Sequence, residues 1–196
     1  MSWAGDYRDV SFNPFSTRFV RPDQMQYRFA SDIDPDELFR SLLDRFKSSP
    51  ALAVIGPHGT GKSTLIHSLL RKIESAGHEA GTGGVRLIRL STSTKPVWPL
   101  EAIRMVQRRS LVVIDGFEQM PLVSRLAIVS RLHSGRSSAR LLVTAHRRQW
   151  FIPTFFCTYW DVEVIRDLTA EKLLHLPIAK RKVMLQIANR LEQQHL

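Results

Sequence analysis

The run Gly56-Pro57-His58-Gly59-Thr60-Gly61-Lys62-Ser63 sets two glycines, a lysine and a hydroxyl at the spacing of a phosphate-binding loop. Glycines let the backbone turn tightly, so that successive N–H groups point inward at phosphate oxygens. A helix opening at Lys62 would add its positive end. The Lys62 ammonium then reaches β- and γ-phosphates, and the Ser63 hydroxyl is a hard oxygen ligand suited to Mg2+. With the adjoining Thr64, the loop residues Gly56, Pro57, His58, Gly59, Thr60, Gly61, Lys62 and Ser63 form the expected nucleotide-binding set. His58 falls in the variable part of the pattern and is expected to contribute backbone rather than catalysis.

A second chemical element is Leu111-Val112-Val113-Ile114-Asp115-Gly116-Phe117-Glu118. An apolar strand ending in Asp is the Walker B arrangement, which carries a carboxylate to the edge of a sheet where it can hold the Mg2+ water shell. Glu118, three residues on, is placed to orient and polarise an attacking water. A third strand, Leu141-Leu142-Val143-Thr144, ends in a hydroxyl able to touch the γ-phosphate or the water. Glu118, Lys62 and Thr144 are therefore the expected catalytic residues, and Ser63 and Asp115 the expected metal ligands. Arg147 and Arg148 read as surface charge.

These groups need elements to place them. Ala51–Ile55 is a short apolar strand before the loop, and Lys62–Ala76 a helix with Leu65, Ile66, Leu69, Leu70 and Ile73 on one face. Asp36–Phe46 precedes them as a helix begun at Asp34-Pro35. Further strands are expected over Val85–Ser91, Leu111–Asp115, Leu141–Thr144 and Trp160–Arg166, with helices near Leu100–Arg109 and Pro121–Leu132. Residues 147–159 read as a long aromatic-rich connection. The tail reads as a short helix before Pro177 and a longer one over Ile178–Gln194. Strands alternating with helices predict an α/β fold with a parallel sheet covered on both faces. Residues 1–33 are expected to be an arm anchored by aromatics, 34–168 the core and 169–196 a helical tail.

Composition narrows the class. Apolar residues at 43% and charged residues at 23% fit a packed globular chain. The longest apolar runs fall far short of the roughly 20 residues that cross a bilayer, so no membrane partner is expected. The N-terminus has no basic and apolar leader pattern, and the expected location is cytoplasmic. Cys157 is the single cysteine, so no internal disulfide can form. The charge of +10, from 28 Lys and Arg against 18 Asp and Glu, would draw phosphate-rich partners such as nucleic acid, although the basic residues are dispersed.

Gly56–Ser63, Asp115, Glu118 and Thr144 together resemble the additional-strand P-loop ATPases, the group of AAA+ and STAND proteins, over about residues 34–166. The resemblance implies a three-layer P-loop NTPase with a five-stranded sheet in the order 5-1-4-3-2, the Thr144 strand lying between the two motif strands. In that group the Thr144 position is called sensor 1. The second acid of Asp115-Gly116-Phe117-Glu118 lies at the third position beyond the first, which is more similar to the STAND and NACHT pattern than to the adjacent Asp-Glu of most AAA+ proteins. Asn13-Pro14-Phe15, Tyr27-Arg28-Phe29 and Asp36–Phe46 resemble the segment that precedes the P-loop in small secretion-accessory and transposition ATPases, and by that analogy the arm covers adenine.

There is no Leu-Ser-Gly-Gly-Gln signature of transporter ATPases and no Asn-Lys-x-Asp guanine element, which favours ATP. The function expected is ATP hydrolysis with Mg2+ that switches contact with a protein or nucleic-acid partner, or with another copy of the chain. A binding module that does not turn over and a small-molecule kinase, with 147–159 as its lid, are the alternatives.

Overall fold

The computed structural model describes Tyr27, Phe29 and residues 33–75, 84–106, 111–135 and 138–159. Among these, Tyr27 and residues 35–158 belong to one compact unit, while Phe29, Ile33, Asp34 and Tyr159 fall in a second. The element order in the first unit is α1 (Pro35–Ser48), β1 (Ala51–Ile55), α2 (Lys62–Ser75), β2 (Val85–Arg89), α3 (Pro99–Met105), β3 (Leu111–Asp115), α4 (Leu122–His133), β4 (Arg140–Ala145) and β5 (Thr154–Cys157). A 3-10 turn, Phe117–Gln119, links β3 to α4. No helix among the described residues is long and apolar enough to cross a membrane.

The five strands form one parallel sheet in the order β2-β3-β4-β1-β5. A central parallel strand is covered on both faces, which is why β1, β3 and β4 are near-continuous apolar runs rather than alternating ones. Ala51, Ala53, Val112, Ile114, Leu141 and Val143 pack with α3 and α4 residues such as Ala102, Ile128 and Leu132. The alternate residues Leu52, Val54, Leu111, Val113 and Leu142 point to the opposite face. That side is the one for Leu42 and Phe46 of α1 and for the buried stripe Leu65, Ile66, Leu69, Leu70 and Ile73 of α2. Asp36 on α1 pairs with Lys72 on α2, and this contact holds the exposed Asp36 carboxyl below its ordinary value. Parallel order puts the carboxyl ends of all five strands on one edge, which is where ligands bind in such sheets.

The fifth strand is not where the sequence reading put it. β5 is Thr154–Cys157, inside the segment expected to be a connection, and Trp160–Arg166 lies outside the described residues. Phe151 packs on the core and Ile152 is buried in it, so 147–159 is structured scaffold and not a free lid. The proposed tail helices also lie outside the described residues.

Candidate functional site

β1 ends at Ile55, and the chain turns at once into the loop. Gly56 donates its N–H to the Ala145 carbonyl at 3.2 Å, which ties the loop to the end of β4. Gly59 and Gly61 adopt φ of 78° and 79°, the left-handed region that glycine enters without penalty. Gly56 is needed for a different reason. A Cβ there would lie 2.2 Å from Thr158 Oγ1 and 2.3 Å from the Thr158 carbonyl oxygen, so only glycine admits this approach. The helix begins with Leu65 N–H bonding Gly61 carbonyl at 2.8 Å, leaving the amides before it for a ligand.

Thr158, just beyond β5, clasps this loop. Its N–H donates to Ile55 carbonyl at 2.7 Å, and its hydroxyl lies 2.6 Å from that of Thr60, which donates in turn to Pro57 carbonyl at 2.9 Å. Lys62 is buried, and its ammonium donates to the carbonyls of Gly56 at 2.7 Å and Pro57 at 2.5 Å. Burial pushes the Lys62 ammonium below its ordinary value, while the nearby carboxylates of Glu118 and Asp115 oppose the shift. Among the described residues its hydrogen bonds go to neutral carbonyls, so a phosphate would give this buried cation a directly bonded anion. The ring of Tyr27 lies 3.1 Å from where a Gly61 Cβ would be, and its backbone N–H donates to Ser68 Oγ on α2 at 3.2 Å.

β3 carries Asp115 to the same edge. Thr144, at the end of β4 and buried, donates its hydroxyl to Asp115 Oδ1 at 2.6 Å and accepts from Gly116 N–H at 2.8 Å. A hydroxyl has one proton, so this geometry makes Thr144 the group that orients Asp115. Gly116 turns the chain at φ 82° and sets the Phe117–Gln119 turn, which swings Glu118 back over the edge. Glu118 Oε1 accepts from His146 Nε2 at 2.8 Å, while Glu118 Oε2 and His146 Nδ1 are buried with no hydrogen-bond partner. The His146 ring stacks on that of His58, with centroids 3.5 Å apart and planes tilted by 40°. Packing around His58, followed by the charges of His146 and Lys62, lowers its pKa from the ordinary 6.5.

The structure thus brings Lys62, Asp115, Glu118 and Thr144 to one edge, with the loop Gly56–Ser63 between them. It adds three residues that sequence reasoning missed or discounted. Thr158 was hidden by the misplaced fifth strand, although the β-favouring run Thr154-Phe155-Phe156-Cys157 was a usable signal. His146 stands two residues beyond Thr144, at the carboxyl end of a strand, and that position alone was a pointer. His58, expected to contribute backbone, packs its ring against that of His146. Were a metal bound, Ser63 and Asp115 would offer it one hydroxyl and one carboxylate. That donor set fits Mg2+, which is held by one or two carboxylates together with substrate phosphates.

No family model matches the chain. The chain is 33% identical over 117 residues to the phosphonates import ATP-binding protein PhnC 2 of Haloarcula marismortui, a match covering 59% of this chain and 38% of that protein. It is 35% identical over 91 residues to the phosphonates import ATP-binding protein PhnC of Wolinella succinogenes, covering 46% and 29%. The chain therefore spans less than two-fifths of the length of these relatives. Among solved structures, C. elegans PCH-2 is similar with a TM-score of 0.50 at 12% identity, over 80% of this chain and 50% of that one. The chain has a P-loop NTPase fold. The RuvB Holliday junction branch migration motor of Thermotoga maritima aligns with a TM-score of 0.48 at 12% identity, covering 82% and 62%. Within the P-loop NTPase fold, the strand bearing Thr144 lies between the strand that feeds the loop and the strand that ends in Asp115.

Proposed function

We propose that this chain is an ATPase of the additional-strand, AAA+-like type, working with Mg2+, whose nucleotide state switches its contact with a protein or nucleic-acid partner. The observation that carries the proposal is Glu118. One of its oxygens is fixed by His146 and the other is buried without a partner, on the edge where Lys62 and Asp115 also stand. A carboxylate held by one oxygen keeps the lone pairs of the other for the proton of an attacking water. The loop amides bind the phosphates, and Lys62 leaves the carbonyls of Gly56 and Pro57 to pair with phosphate oxygen. Mg2+, held by Ser63 and Asp115, would neutralise phosphate charge. Thr144 keeps Asp115 turned toward it. ATP is supported over GTP by the ATP-binding relatives. Their import role belongs to whole chains of which this one spans a minor part.

The test is single-turnover hydrolysis at saturating ATP, with and without DNA or RNA, by wild type and Glu118→Gln. The substitution keeps shape and removes the charge. We expect ATP affinity within a few fold and hydrolysis at least about 100-fold slower, the scale for losing a positioned base. No turnover by wild type under any of these conditions would favour a nucleotide-gated binding module. Turnover matched by the mutant would remove Glu118 from the chemistry.

A further inference from the structure

We propose that His58 is a positioning residue that couples occupancy of the phosphate loop to the placement of Glu118, acting through the ring of His146. The inference rests on the ATPase function proposed above and adds a means by which the site responds to its ligand.

The coupling follows three contacts in series, the first two joined by one peptide bond. Lys62 Nζ is bonded at 2.5 Å to the carbonyl of Pro57, and that carbonyl belongs to the peptide linking Pro57 to His58. The His58 ring leans on the His146 ring at 3.5 Å between centroids. His146 Nε2 donates to Glu118 Oε1 at 2.8 Å, since a carboxylate can only accept. The remaining atoms of that pair, His146 Nδ1 and Glu118 Oε2, are buried and unpartnered, so the ring and the carboxylate are steadied by the His58 contact and by each other. A triphosphate would draw Lys62 off the Pro57 carbonyl, because a charged acceptor outbids a neutral one. That releases the Pro57–His58 peptide, and the ring that braces His146 moves with it. His58 stays neutral more readily than an isolated histidine, because packing, His146 and Lys62 all disfavour its charge; two rings can then meet without repulsion. His58 is exposed, so a ligand binding the loop can reach it.

The experiment compares wild type, His58→Ala, His58→Phe, His146→Leu and the double variant His58→Ala/His146→Leu in single-turnover ATP hydrolysis. A misplaced catalytic group costs up to about 100-fold, and a ring acting at one remove should cost about tenfold. We expect that loss in kcat for His58→Ala with KM for ATP unchanged, and recovery in His58→Phe, which keeps a flat ring. The double variant should be no slower than His146→Leu. A raised KM with no rescue by Phe would make His58 a direct phosphate ligand and overturn the proposal, as would additive losses in the double variant. A second readout needs no turnover. The His146 ring resonances should shift when a non-hydrolysable ATP analogue binds to wild type and to His58→Phe, but not to His58→Ala. An equal shift in His58→Ala, or none in wild type, refutes the coupling even if hydrolysis itself is absent.

Discussion

Thr144→Val is nearly isosteric, so it isolates what one hydroxyl does. The side chain is 1% exposed, donates to Asp115 Oδ1 at 2.6 Å and accepts from Gly116 N–H at 2.8 Å. A hydrogen bond to a charged group contributes about 1.5–3 kcal/mol, and a buried donor left unpaired costs about 1–3 kcal/mol. Asp115 and Gly116 are only half-buried, so water can partly replace both contacts and the lower end of each range applies. The expected loss is about 2–3 kcal/mol, and with a urea m-value near 2 kcal/mol/M the unfolding midpoint falls by about 1–1.5 M. Thr144→Ser, which keeps the hydroxyl, should recover most of it. The same change frees Asp115 to rotate, so nucleotide affinity should fall in Mg2+ and hold in EDTA. A Val variant within about 0.5 kcal/mol of wild type, or a Ser variant as unstable as Val, would refute the argument.

Two more outcomes follow from the loop. Burial lowers the Lys62 pKa from 10.5, and an incoming triphosphate restores the charged form. Affinity should therefore be highest below the lowered pKa and decline as pH rises through it, with proton uptake on binding in the window between that value and 10.5. Calorimetry in buffers of different ionisation enthalpy measures the uptake, and its absence at alkaline pH would contradict the Lys62 assignment. Gly56→Ala should cost about 3 kcal/mol by overpacking and weaken ATP binding, because its Cβ would meet the Thr158 carbonyl oxygen at 2.3 Å. Adding Thr158→Ala removes the hydroxyl but not the carbonyl, so full rescue would show that the backbone clash is not the cause.

The loop and the two strands that carry the motifs were legible because their signals are local. Gly56–Ser63 announces itself by spacing, and Ala51–Ile55 and Leu111–Asp115 by unbroken apolar runs that only a doubly covered strand carries. β5 was not legible in the same way. It is a four-residue edge strand whose two phenylalanines read equally as loop anchors, and the alternating run Trp160–Arg166 looked more strand-like. The His58–His146–Glu118 contact was out of reach for another reason. It joins the loops after β1, β4 and β3, and their adjacency depends on the strand order rather than on any spacing within the chain. Thr144 was expected at the end of its strand, but the hydrogen bond that commits its proton to Asp115 is visible only in the folded chain.

The edge strand has a mechanical consequence. Among the described residues β5 has a single neighbour, and its register with β1 slips between Ala53 and Val54, so along its length it is a weak seam. It is fastened again at its end, where Thr158 grips Ile55 through its N–H and Thr60 through its hydroxyl, with Gly56 packed beneath. A load applied at Thr158 would therefore reach the phosphate loop and the end of β1 together. Conversely, a loop stiffened by a filled site would raise the force at which that edge peels away.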